Sequence, residues 1–182
     1  EVYTAAYTQL SFWQFYSESA YFRETNYNPE LFVTFPVSHL YKNISLKALR
    51  VSLAHQSNGR GGAEERSWNY LHASMFFQYK TLFTELKVWQ RFKDSTDYNP
   101  ELIDYIGYGH IKFILPYKQH AISLLFRNNF DGKSATKINY TYPLFGKDDL
   151  FLYVKYFNGY GESLIDYNHN INKIGIGFSI SR

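Results

Sequence analysis

Three residues on two neighbouring segments have the types that together make an activated nucleophile: His55, Ser57 and Asn69. Side chains alternate along an extended chain, so Leu49, Val51, Leu53, His55 and Ser57 share one face while Arg50, Ser52, Ala54 and Gln56 take the other. The next segment repeats the pattern. Asn69 shares its parity with Leu71, Ala73, Met75 and Phe77, opposite Tyr70, His72, Ser74 and Gln78. Polar groups therefore end two otherwise apolar faces. If Asn58 to Glu65 is a loop closing a hairpin, His55 lies approximately across from Asn69, near the strand ends and within side-chain reach. Ser57 lies about 7 Å from His55 along the strand, so its hydroxyl can approach one imidazole nitrogen while Asn69 takes the other. A serine hydroxyl is a poor nucleophile until a neutral imidazole removes its proton, and a third group must fix the ring's tautomer and angle. Asparagine orients without adding charge, which suits a site facing hydrocarbon. The bland alternative is a chance His-x-Ser triplet in a chain with 6 His, with Asn58-Gly59 as a simple hairpin turn. No G-x-S-x-G elbow surrounds Ser57, so an α/β-hydrolase is not supported.

The elements that must position these residues read as strands. Period-two alternation recurs along the chain, as in Ile174, Ile176, Phe178 and Ile180 interleaved with Gly175, Gly177, Ser179 and Ser181. Segments of this kind span 1–16, 25–41, 46–57, 66–79, 82–93, 101–117, 119–129, 135–145, 150–160 and 171–182. Several exceed the usual ~5–6 residues of globular strands and match the ~9–11 of membrane-spanning ones. Connections alternate between short (Lys118 with Gln119, Gly146 to Asp149) and long and polar (Asn58 to Glu65, Asp94 to Asn99, Gly161 to Asn170), the asymmetry of transmembrane barrels. Aromatic residues make up 20% of the 182 residues, roughly double the usual share. They cluster near segment ends (Phe12, Trp13, Phe15, Tyr16; Tyr105, Tyr108; Tyr153, Tyr156, Phe157, Tyr160), as girdles at a water–lipid interface would. The expected fold is all-β, one antiparallel transmembrane β-barrel domain over 1–182. A soluble β-sandwich or lipocalin-like barrel is the rival.

Composition excludes other classes. No stretch approaches the roughly 18 apolar residues of a spanning helix. Cysteine is absent, which removes disulfides, thiol nucleophiles and Cys-ligated zinc. The net charge of +3 comes from interspersed charges with no like-charge block, so nucleic acid is not an expected partner.

The block His55-Gln56-Ser57-Asn58-Gly59-Arg60, followed by Arg66-Ser67-Trp68-Asn69, resembles the active-site hairpin of the bacterial outer membrane phospholipase A family. Phe22-Arg23-Glu24-Thr25-Asn26-Tyr27, Asp104-Tyr105-Ile106-Gly107-Tyr108 and the long run Asn158 to Asn168 are similar to further segments of that family. The resemblance implies a calcium-dependent barrel of twelve antiparallel strands in the bacterial outer membrane. Such a barrel hydrolyses acyl esters of membrane phospholipids as a homodimer, with its active site toward the cell exterior. It implies Ser57 as nucleophile, His55 as general base and then acid, Asn69 as orienting amide, and the Gly59 N–H at the oxyanion. It also implies Ca2+ held by the Arg60 carbonyl, the Glu65 side chain and Ser19 of a partner chain, with Glu65 standing where the family pattern has a serine. Gln9 matches a buried polar residue at the dimer interface, against the alternative of an ordinary lumen-facing glutamine. Asp97 and Glu101 read as solvated loop carboxylates rather than a second cation site.

By the same resemblance the chain starts near the family's third strand, so about ten strands are represented. Either further strands are contributed from outside this sequence or the barrel closes with fewer. The sequence ends on Ser181-Arg182 and not on the aromatic usual in such barrels, so a few more residues are expected there. A non-enzymatic barrel, a porin or adhesin, is the alternative function.

Overall fold

The structure, a computed structural model, describes residues 1–18, 20–41, 44–145 and 149–180. Ten strands form one sheet in chain order: β1 (Val2–Trp13), β2 (Phe22–Tyr41), β3 (Ile44–Ser57), β4 (Ser67–Tyr79), β5 (Leu82–Phe92), β6 (Gly109–Tyr117), β7 (His120–Asn128), β8 (Ser134–Pro143), β9 (Leu150–Gly159) and β10 (Ile171–Ile180). All neighbours pair antiparallel.

The strands match the alternating segments to within a few residues, with one correction. The segment read as 101–117 begins with a short helix, α1 (Leu102–Ile106), before β6. Leu102 and Ile106 lie one helical turn apart and both are buried, and Gly107 ends the turn at φ +68°. A side chain at Gly107 would press on the Asn128 carbonyl at 2.8 Å.

Alternation sorts the sheet into two faces. Ile174, Ile176, Phe178 and Ile180 are 71–77% exposed, and Leu31, Leu53, Leu71 and Val88 are also exposed, a belt that suits hydrocarbon and not water. The opposite face buries polar groups that satisfy one another. Glu30 accepts from Ser52 Oγ and meets His72 Nε2, each at 3.1 Å, and Ser74 Oγ donates to Glu85 at 3.0 Å. The sheet rolls far enough for Lys173 on β10 to stand 5.0 Å from the Phe12 ring on β1. Among the described residues β1 and β10 form no ladder with each other, so the ten strands do not close by themselves.

At the end bearing the long loops, α1 and the β9–β10 connection (160–170) fold into the mouth. Leu102, Ile106, Leu164 and Tyr167 pack there on Trp68, Tyr70 and Trp89, and all are buried. Trp68 and Tyr70 stack with ring centroids 3.8 Å apart. This plug corrects the girdle expectation. Trp13, Phe15, Tyr16 and Tyr108 are exposed, but Phe157 is buried, and Tyr105 packs its ring on Tyr160 and Tyr167. Tyr105 and Tyr167 belong to the apolar seat of the mouth elements, while Phe157 is buried beside Lys155 on β9.

Polar contacts tie the plug down. Glu24 Oε1 accepts from Asn26 Nδ2 (2.6 Å) and from the Ile165 N–H (3.1 Å), and Asn26 Oδ1 accepts the Leu164 N–H (3.0 Å). Arg23 pairs with Asp166 at 2.7 Å. Glu162 is almost fully buried between Lys155 (2.8 Å) and Lys173 (2.6 Å). Burial alone would raise the Glu162 carboxyl, but hydrogen bonds from both lysines, and their charge, outweigh it and hold the group below the usual carboxylate range.

Its contribution to stability is therefore present above the ordinary carboxylate pKa and is lost as pH falls through the lowered one. Glu162→Gln is expected to destabilise the assembled barrel by roughly 1–3 kcal/mol at neutral pH. Thermal unfolding followed by gel mobility should show the gap from the unsubstituted protein closing on acidification.

Candidate active site

The β3–β4 register pairs His55 directly with Asn69, and Ser57 with Ser67. Directly opposed residues on one face stand close enough for side chains to bond, and His55 Nδ1 lies 2.8 Å from Asn69 Oδ1. Both are half-buried, as is Ser57. All three project outward with Leu53 and Leu71, and a shallow depression lined by Ala5, Pro29, Leu31 and Leu53 ends at His55 and Asn69. Ser57 lies two positions beyond His55 on the same face, and no hydrogen bond joins the two. Catalytic hydrogen bonds are often loose until substrate binds.

Past Ser57 the chain forms a nine-residue connection, 58–66, and not the tight Asn-Gly hairpin turn. Asn58 is buried and organises it from within. Its Oδ1 accepts the Arg66 N–H (3.0 Å) and the Arg60 N–H (3.3 Å), and its Nδ2 donates to the Glu64 carbonyl (2.9 Å). Gly59 follows at φ +65°, where a Cβ would meet the Tyr27 ring at 2.8 Å, so both conformation and space call for glycine. The Arg60 guanidinium reaches the Glu64 carboxylate, the Arg23 carbonyl and, at 3.6 Å, Glu24. Of the two loop carboxylates Glu64 is thus engaged by Arg60, whereas Glu65 is half-buried and accepts no side-chain hydrogen bond. Ser19 lies outside the described residues. Gln9 pairs with Tyr27, which pairs with Ser57, so Gln9 stands on the outward face and not in the lumen. It is exposed there, and its amide joins Tyr7 Oη and Ser11 Oγ.

Three groups escaped the sequence reading. Asn58 was legible only as a turn residue. Glu24 and Asn26 belong to a recognised block, but their partners lie some 140 residues away in chain order. Asp94 is the third: Asn69 Nδ2 donates to its two carboxylate oxygens at 2.9 and 3.2 Å. The signal was its parity with Phe92, the residue that pairs with Asn69 across β4 and β5. Asp97 is not free for a cation, since it holds Arg91 at 2.7 Å and accepts the Asn99 N–H at 3.0 Å. Among the described residues no cluster of three or more His, Cys, Asp or Glu is arranged to hold a metal.

Comparison with known proteins agrees with this architecture. The family model described as phospholipase A1 matches residues 1–180. A putative phospholipase A1 of Neisseria meningitidis serogroup B is 44% identical over 94% of this chain and 47% of its own length. The phospholipase A1 of Escherichia coli K12 is 34% identical over 97% of this chain and 61% of its own. The chain therefore spans about half to three fifths of these relatives. Among solved structures, outer membrane phospholipase A from E. coli superposes with a TM-score of 0.92 at 34% identity, covering 97% of this chain and 74% of that one. The Salmonella typhi outer membrane phospholipase dimer with bound calcium gives 0.91 at 34% identity, covering 97% and 69%. An active-site mutant of the E. coli enzyme with asparagine replaced by alanine gives 0.91 at 33% identity, again covering 97% and 69%. With the strand order, the outward apolar belt and the family match over 1–180 all in agreement, the chain belongs to the phospholipase A1 family.

Proposed function

We propose that this chain is the catalytic wall of a calcium-dependent phospholipase of the bacterial outer membrane, hydrolysing acyl esters of glycerophospholipids at a site open to the outer leaflet. The observation that carries the reading is the 2.8 Å His55–Asn69 bond beside Ser57 on a face otherwise built for lipid. Supporting it, the matched E. coli and Salmonella structures are outer membrane phospholipases, and replacing an asparagine makes one of them an active-site mutant.

In this mechanism the acyl chain lies against the depression beside Leu31 and Leu53, which brings its ester to Ser57. His55, with the proton on Nδ1 directed at Asn69 Oδ1, offers Nε2 as base. The Ser57 oxygen attacks the ester carbonyl as its proton passes to Nε2, and the protonated ring then gives that proton to the departing glycerol oxygen. Water, deprotonated by the same nitrogen, attacks the acyl-Ser57 ester, releases fatty acid and restores the hydroxyl. The Gly59 N–H donates to the oxyanion.

Calcium suits the oxygen donors of the loop. The Arg60 carbonyl and the uncommitted Glu65 carboxylate would hold it, with Ser19 of a second copy as a further ligand. When bound, the ion supplies positive charge beside the developing oxyanion. A homodimer is supported by one relative, which is a dimer with bound calcium. Gln9, outward on β1, lies on the surface two such copies would share.

In mixed micelles with calcium, Ser57→Ala is expected to lower fatty acid release by at least about a thousandfold while the barrel still assembles, and Asn69→Ala by about a hundredfold. Residual turnover near the native rate in Ser57→Ala would refute the assignment. Chelation should abolish turnover reversibly. Glu65→Ala should raise the calcium concentration for half-maximal rate by about tenfold or more, because ligand charge sets affinity. An unchanged calcium titration would remove Glu65 from the ligand set.

A further inference from the structure

The acceptor side of Asn69 faces His55, and its donor side is also occupied. Nδ2 donates to both oxygens of Asp94 at 2.9 and 3.2 Å, while Oδ1 lies 2.8 Å from His55 Nδ1. Asp94 reaches this position by register. Phe92 pairs with Asn69, and Asp94, two residues further, keeps the same parity and projects to the same outward face. The loop that carries it is pinned behind it by Arg91 to Asp97 (2.7 Å), by Arg91 to the Asn99 carbonyl (2.9 Å) and by the Ser67 N–H to Asn99 Oδ1 (3.1 Å).

From this chain of bonds we infer that Asp94 is a positioning residue that sets which way the Asn69 amide faces, and through it which nitrogen of His55 carries the proton. The inference rests on the reading of Ser57, His55 and Asn69 as the catalytic triad. Its physical basis is the one-sidedness of a carboxylate. An ionised carboxylate has no hydrogen to donate, so only the NH2 side of Asn69 can face Asp94. The amide oxygen must then face His55, which requires the hydrogen on Nδ1. Nε2 is left as a lone pair toward Ser57, the tautomer a general base needs. Without Asp94, an amide turned end for end would donate to Nδ1 and place the hydrogen on Nε2, where the ring cannot accept the serine proton. Asp94 thus does for asparagine what an amide cannot do for itself, since its two ends are alike in shape and opposite in polarity. It also puts negative charge one bond further from the imidazolium than a directly bonded aspartate would, at the loop end of the strands rather than in hydrocarbon.

The test is a kinetic series on the membrane-assembled protein in phospholipid–detergent micelles with calcium. It comprises the unsubstituted protein, Ser57→Ala, Asp94→Asn, Asp94→Glu, Asn69→Ala and the double variant Asn69→Ala with Asp94→Asn, each checked for barrel assembly by gel mobility. Asp94→Asn keeps the shape and removes the one-sidedness. It should lower kcat about tenfold, the lower end of what an outer hydrogen-bond partner is worth, with KM unchanged. Asp94→Glu should recover most of that loss. In the Asn69→Ala background Asp94→Asn should change nothing further, because the group it acts through is gone. Native kcat in Asp94→Asn, a loss expressed in KM, or an equal loss with and without Asn69 would each overturn the inference. Those results differ from failure of the underlying triad, which would appear as turnover in Ser57→Ala.

Discussion

Every position in this sheet has only two directions to point, toward lipid or toward the lumen, and that constraint organises the molecule. A strand between hydrocarbon and a polar interior must send successive side chains to opposite solvents. The consequence is visible at β3, where Leu53 is exposed and its neighbours Ser52 and Ala54 are buried. The inward groups are not expensive, because they are paired: Glu30 serves Ser52 and His72, and Glu85 serves Ser74. Outward polar groups have no such company and must satisfy one another. The linked chain of His55, Asn69 and Asp94 does so at the loop end of the wall.

The same end is made rigid from inside. The α1 turn and the β9–β10 connection fill the mouth against Trp68, Tyr70 and Trp89, while Glu24 and Asn26 capture the backbone of Leu164 and Ile165. Arg60 links this plug to the loop 58–66 beside the candidate site, since its guanidinium reaches Glu24 and Glu64 while its backbone is held by Asn58. The residues that fix the lumen plug and those that shape the loop 58–66 are therefore one connected network. A site on the outer wall is held in register by contacts made on the inner one.

Most strands, and the faces of β3 and β4, were legible in advance. Period-two alternation is a local property and brought His55 and Asn69 approximately opposite each other, while their exact pairing came with the nine-residue connection 58–66, one residue longer than the loop read from the sequence. The helix Leu102–Ile106 was read as strand although its marks were present: Asn99-Pro100 before it, Leu102 and Ile106 one turn apart, and Gly107 after it. A stretch of five residues offers too few repeats to tell one period from the other.

What the sequence by itself determined is direction: apolar residues out, polar residues in, and three polar groups, His55, Ser57 and Asn69, on the side an ordinary barrel keeps apolar. Only the tertiary structure decided company. That Asp94 meets Asn69, that Glu24 and Asn26 meet a loop some 140 residues away, that Tyr105 joins a plug instead of a girdle, and that among the described residues β1 and β10 share no ladder all depend on how the sheet rolls and which loops fill its mouth. Alternation is written residue by residue, because neighbours along the chain enforce it. Contact between distant loops is a property of the closed shape, and no stretch of sequence contains both partners.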